Sequence, residues 1–147
     1  MSATIMKNRK AYHNYEVEDK FEAGIALRGT EVKSIRAGNI SLQESFIVVR
    51  NLELYLQGAH IKPYEMGNIH NHSPLRERKL LMHKREIQRL KAQVDRNGMT
   101  LIPLSIYLKR GRIKVQVGLC RGKNQGDKRQ TMKERDQNRE MQRALKR

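Results

Sequence analysis

Acid–base chemistry needs a donor and an acceptor whose pKa values straddle the working pH, and histidine is the usual choice. The chain carries five, His13, His60, His70, His72 and His83. His13 or His83 with Glu22 could cleave a phosphodiester as acid and base. The sequence offers no paired histidines in a catalytic motif, however, and no carboxylate set for a metal. His70 and His72 stand two apart, flanked by His60 and His83, but a structural zinc site needs four ligands, usually with cysteine. Cys120 is the single cysteine and lies far along the chain. No histidine is close to it in sequence, and a nucleophilic thiol needs a base and a depressed pKa. The expectation is no catalytic residue, no metal and no cofactor.

Charge is the stronger signal. Thirty-one Lys and Arg against 15 Asp and Glu leave a formal +16, which predicts a polyanionic partner. A membrane surface fits less well, because no stretch approaches ~20 apolar residues and no amphipathic terminal helix is visible. The start, MSATIMKNRKAYH, lacks the apolar run of a signal peptide. A lone cysteine suits a reducing cytoplasm, so a cytoplasmic location is expected. Aromatics are 5% of residues with no Trp, too few to stack many single-stranded bases. Structured RNA, read by shape and phosphate position, fits better.

The cations cluster in places that can be named. Arg76, Arg78 and Lys79 face only Glu77 as a local counter-charge, which makes them candidate phosphate contacts. Arg110 and Arg112, with Lys109, crowd a turn around Gly111 and could form a projecting RNA finger. Lys33 and Arg36 lie away from the apolar side of a short helix and join the candidates. Met1 to Lys10 reads as a flexible basic arm, in which Lys7, Arg9 and Lys10 could touch phosphate. Glu16, Glu18 and Asp19 are an acidic exception, expected on an edge or loop.

The elements that would hold these residues follow from periodicity. Tyr12 to Arg28 is strand-like, with Tyr15, Val17 and Phe21 as candidate core. Gly29 turns the chain, Thr30 is placed to cap a two-turn helix, and Glu31 lies in its first turn. Val32 and Ile35 are its buried side, and Gly38 ends it in a left-handed conformation. Ser41 to Ile61 reads as a hairpin, with Phe46 and Val48, supported by Val49, on one strand and Leu54 and Leu56 on the next. Gly58 marks a bulge or a close approach. Glu65 to Ser73 is a connector by composition.

Pro74 to Asn97 is predicted as one long helix, its stripe formed by Leu80, Leu81, Ile87, Leu90 and Val94. Met99 to Cys120 is a second hairpin, interrupted at Pro103 by an edge or bulge. Its return strand alternates cleanly through Ile113, Val115, Val117 and Leu119. Over residues 121–147 ten cations and four anions surround only Met132, Met141 and Leu145 as large apolar groups. That stretch has no face to bury, so it is predicted to be disordered until bound. The expected organisation is an arm over 1–11, an RNA-binding β domain over 12–120 and a basic tail over 121–147. Short antiparallel strands, too few for two full sheets, point to a small closed barrel flanked by helices.

Three stretches, GTEVKSIRAG, PLRERKLLMHKREI and GKNQGDKRQTMKERD, are similar in sequence and order to those of the bacterial SsrA-binding protein (small protein B) family. The likeness runs from about His13 to the C-terminus. It implies an oligonucleotide-binding-like barrel with about three helices, and an RNA-binding adaptor that is not an enzyme. The implied partners are transfer-messenger RNA and the decoding region of the small ribosomal subunit, with no membrane and no obligate protein subunit. The resemblance points to His13 and Glu22 as residues that hold the RNA. Glu22 repels phosphate, so its use would be a hydrogen bond from a base edge or ribose hydroxyl. In the family such a tail orders as a helix in the empty messenger channel. Carried over, this points to Lys123, Asp127, Lys128, Arg129, Lys133, Arg135 and Arg139. Asn124 stands where the family motif usually has a second Lys. A small ribonuclease and a general RNA chaperone or ribosomal protein remain the alternatives.

Overall fold

The computed structural model describes residues 2–64 and 71–123. Residues 65–70 of the connector expected over Glu65–Ser73, and residues 124–147 of the tail expected over 121–147, with Asp127, Lys128, Arg129, Lys133, Arg135 and Arg139, lie outside the described residues. The order is β1 (Ser2–Lys7), α1 (Arg9–Asn14), β2 (Tyr15–Ile25), α2 (Gly29–Arg36), β3 (Ile40–Ser41), β4 (Phe46–Arg50), β5 (Glu53–Gln57), β6 (His60–Ile61), β7 (Arg78–Leu81), α3 (Lys84–Asn97), β8 (Thr100–Lys109) and β9 (Arg112–Gly122). Six strands run β8-β4-β5-β7-β2-β9, and β9 pairs back onto β8, so the sheet closes into a ring. Every pairing is antiparallel. Closure satisfies strand edges that would otherwise invite aggregation, as expected from the number of short strands.

The long hairpin β8–β9 is the backbone of the ring. Its register shifts between Pro103 and Ser105, where proline can give no ladder N–H. On the inner face Leu101, Ile106, Val115 and Val117 are buried with Leu54, Leu56 and Leu80. Gly118 faces Leu104, and a Cβ there would stand 2.7 Å from the leucine Cγ. One edge of β8 is divided: β4 takes it at Leu101, and β1 takes it from Ser105 to Lys109. Helix α2 buries Ile35 against the core and stops at Gly38, whose φ is 82°. Gly58 is the close approach anticipated, since a Cβ there would meet Glu44 O at 2.6 Å.

Three expectations are corrected. The first residues are not a loose arm: β1 pairs with β8, while Ile5 and Met6 pack on the core. Buried Asn8 fixes the start of α1, its Oδ1 accepting from Ala11 N at 3.2 Å and its Nδ2 donating to Pro103 O at 2.8 Å. The predicted helix over 74–97 begins only at Lys84, because 78–81 is strand β7 filling the gap between β5 and β2. Helix propensity differs by at most ~0.7 kcal/mol among ordinary residues, whereas burying one leucine contributes roughly 1.5–3 kcal/mol. Leu80 inside the ring therefore decides the conformation, and its neighbour Leu81 is 51% exposed. In β4 the phase is the reverse of that predicted: Ile47 points inward and Phe46 is exposed. A one-residue slip exchanges the two faces of a strand. Its turn uses Asn51 and Leu52 at φ 54° and 58°, a left-handed pair made without glycine.

Candidate nucleic-acid interface

The same alternation that buries Ile106 and Val115 turns the intervening residues outward. Cross-strand register lines up Lys7, Ser105, Gln116 and Glu22 on one row, and Thr4, Tyr107, Lys114 and Gly24 on the next. The first row, with Thr4 and Tyr107 of the second, floors an open groove of about 590 Å³, with Tyr12, Lys20 and Lys109 on its walls. Tyr107 donates its hydroxyl to Glu22 Oε2 at 2.6 Å, and Lys109 Nζ lies 3.3 Å from the same oxygen. The Tyr107 bond and the nearby lysines outweigh partial burial and hold the Glu22 carboxyl below its ordinary pKa. Burial and the Glu22 carboxylate together push the Tyr107 phenol up. Glu22 thus stays an anionic acceptor, poorly suited to act as an acid. His13 is exposed on α1, one residue from Tyr12.

A second cationic area joins α2 to the β8–β9 turn. Arg36 Nη2 donates to Gly111 O at 3.2 Å, so exposed Arg36 stands with Arg110 and Arg112. Arg110 and Gly111 take φ 53° and 76°, the left-handed pair of a tight hairpin turn. Beside them is a hollow of about 340 Å³ with Ile25, Leu27 and Val32 in its floor and Arg36, Arg112 and Lys114 at its rim. Lys33 is on the exposed side of α2, its Nζ 5.3 Å from the Tyr64 ring centroid.

The third cluster behaves differently. Glu31 and Arg78 have fully buried side chains, with Arg78 Nε donating to Glu31 Oε2 at 2.6 Å. Arg76 Nη2 donates to Glu31 Oε1 at 2.6 Å, and the same oxygen accepts from Arg28 N at 2.8 Å. The remaining Arg78 donors reach the carbonyls of Ala59, Ser73 and Pro74. Burial alone would raise the Glu31 pKa, but the bonds from Arg76, Arg28 N–H and Arg78 outweigh it and leave the carboxyl below its ordinary value. Arg78 is therefore withdrawn as a phosphate contact, since a guanidinium with every nitrogen engaged inside the fold has nothing to offer a ligand. Arg76 is three-quarters buried on the same carboxylate, and Lys79 pairs with Glu53 at 3.1 Å on the surface. Thr30 is not the cap of α2 but meets His72 Nδ1 at 2.8 Å. Nε2 of His72 lies 2.9 Å from Ile61 O. A carbonyl can only accept, so His72 donates from Nε2 and Thr30 donates to Nδ1.

Among the described residues no three His, Cys, Asp or Glu side chains gather as metal ligands. Cys120 is buried with Ala11, Ile102 and Leu104, and burial pushes its thiol up to about 11. Lys123 closes the described chain against α1, its N–H donating to Asn14 O at 3.1 Å and its Nζ to Tyr12 O at 3.5 Å. Sequence reasoning did not single out Tyr12, Lys20, Tyr107 or Lys109 as lining one groove. For the β8 pair the signal was present, because Ser105, Tyr107 and Lys109 alternate with Leu104, Ile106 and Leu108.

The family model described as SmpB protein matches residues 5–147. The chain belongs to the SmpB family. An SsrA-binding protein of Clostridium botulinum (strain Eklund 17B / Type B) is 58% identical over 145 residues, covering 99% of this chain and 93% of that one. SsrA-binding proteins of Clostridium perfringens and Carboxydothermus hydrogenoformans are 56% and 53% identical, covering 97% and 99% of this chain and 92% and 97% of theirs. A solved structure described as "tmRNA-SmpB: a journey to the center of the bacterial ribosome" is 50% identical, with a TM-score of 0.69, covering 84% of this chain and 87% of that chain. In this member of the SmpB family the ring carries the groove on its outward face. Among the described residues no helix is long and apolar enough to cross a membrane.

Proposed function

We infer that the chain is an RNA-binding adaptor that grips the tRNA-like part of transfer-messenger RNA and delivers it to stalled ribosomes for rescue. The observation that carries this is identity of 53–58% with SsrA-binding proteins over nearly the whole chain. The groove and the α2–turn area supply the chemistry. Arg36, Arg110 and Arg112, with Lys33, meet backbone phosphates, Glu22 accepts from a ribose hydroxyl or base edge, and His13 adds a contact from the exposed side of α1. Lys79 is a lesser contact because Glu53 competes for it. Binding, not catalysis, is the activity, and the cytoplasm is where it occurs. Lys123, Asp127, Lys128, Arg129, Lys133, Arg135 and Arg139 belong to a tail that lies in the empty messenger channel near the decoding centre.

This reading separates two functions on one chain. The combined change Asp127→Ala, Lys128→Ala and Arg129→Ala is expected to leave affinity for transfer-messenger RNA unchanged and to abolish peptide tagging on stalled ribosomes. Binding is measured against excess bulk tRNA at physiological salt. If bulk tRNA competes on equal terms, the protein is a general RNA binder whose affinity is electrostatic.

A further inference from the structure

The two ends of the groove differ in how their charge is met. Lys109 is paired with Glu22 at one end. At the other, Lys7 Nζ and Lys20 Nζ stand 5.5 and 5.7 Å from the centroid of one ring, that of Tyr12. Among the described residues neither ammonium has a carboxylate within ion-pairing distance, and both lysines are exposed. A ring quadrupole attracts each exposed cation by about 0.5–1 kcal/mol but neutralises neither. Two like charges drawn over one side chain still repel, and an anion bridging them removes that repulsion.

The neighbours define which anion. From Lys7 the row runs across Ser105 and Gln116 to Glu22, three strand spacings or roughly 14 Å between the outer backbones. Lys20, two residues before Glu22 on the same face of β2, reaches towards the Tyr12 ring. A ligand lying along it must be anionic at the Lys7 end and offer an N–H or O–H to Glu22. An acidic peptide meets the first demand, but its carboxylates are repelled by Glu22 and leave only backbone N–H groups to meet the second. An RNA segment meets both, with phosphate at one end and ribose or base at the other.

We propose that Lys7, Lys20 and Tyr12 form a phosphate seat, holding the backbone phosphate next to the nucleotide whose donor meets Glu22. The proposal rests on the RNA-binding reading above and names a contact within it. Tyr12 holds the two ammonium groups in place, and Ser105 and Gln116 offer donors to the phosphate or ribose between the two ends.

The test uses full-length protein and transfer-messenger RNA in equilibrium binding across a salt series, with bulk tRNA as competitor. The pair Lys7→Gln with Lys20→Gln is expected to weaken binding about tenfold at moderate salt. It should also flatten the log–log salt dependence by about 0.7–0.9 for each phosphate no longer neutralised. Arg89→Gln with Lys91→Gln on α3 removes the same charge outside the groove and is expected to change the slope little. Tyr12→Leu should lose several-fold in affinity, and Tyr12→Phe, which keeps the ring face, should retain it. Equal slopes for the groove pair and the α3 pair would overturn the seat, as would a Tyr12→Leu protein that binds like the parent. If the parent protein itself shows no preference for transfer-messenger RNA, the adaptor reading fails first, and that outcome is distinct from loss of the seat alone.

Discussion

Two clusters of cations around a glutamate lie on opposite sides of the line between fold and ligand. Around Glu31, Arg76 and Arg78 spend their donors inside the protein, and the Glu31 and Arg78 side chains have no exposure. Around Glu22, Tyr107 and Lys109 share a carboxylate that remains exposed on an open groove. In sequence both are a glutamate with basic residues at a distance. What separates them is saturation: a charge whose partners are all internal sets the architecture, and one with acceptor capacity left over can meet a ligand.

The contrast is broken most severely by removing one partner of the buried group. Glu31→Gln should destabilise the protein by about 3–5 kcal/mol, because Arg78 is left buried without an opposite charge. Replacing Glu31 and Arg78 together by leucine and methionine should recover much of that loss. Denaturant unfolding of the three proteins measures both effects. The same carboxylate carries an acid dependence. Its folded pKa is below the ordinary value, so its contribution is complete above about 4.5 and is lost as pH falls through the lowered folded value. Stability measured from neutral to acid pH should therefore fall less steeply in Glu31→Gln than in the parent.

The exposed glutamate should give the converse result. Glu22→Gln is expected to weaken transfer-messenger RNA binding about ten- to a hundredfold, the range for losing a hydrogen bond to a charged group. Its unfolding midpoint should match the parent's. A large drop in that midpoint would place Glu22 with Glu31 and remove the contrast. The smallest effect is expected at Lys79→Gln, where loss of an exposed ion pair with Glu53 should leave stability unchanged within experimental error and weaken RNA binding by about twofold at most.

How much of this was legible depends on how far away the deciding partner lies. The return strand from Ile113 to Leu119, the break at Pro103 and the left-handed stop at Gly38 are local matters of alternation, a missing N–H and a missing Cβ. They could be read directly. Arg78 could not, because the carboxylate that buries it is 47 residues earlier. The false helix over Pro74–Leu81 has a related cause. Leu80 on a strand and Ile87 and Leu90 on a helix enter the same core, so their spacing imitates one continuous stripe. Charge led to the right partner class, while alternation on β8 alone could have located the Tyr107 side of the groove.

The divided edge of β8 has a kinetic consequence. Because β1 pairs only with Ser105 to Lys109 and is no member of the ring, it can detach while β8 keeps its partners β4 and β9. Amides of β1 and α1 should then exchange with solvent through a partial opening, ahead of those in the β8–β9 hairpin. That opening would take Lys7 and Tyr12 away from Glu22, making residues 2–14 a removable wall of the groove. RNA that binds across the wall would slow their exchange most and the hairpin's least.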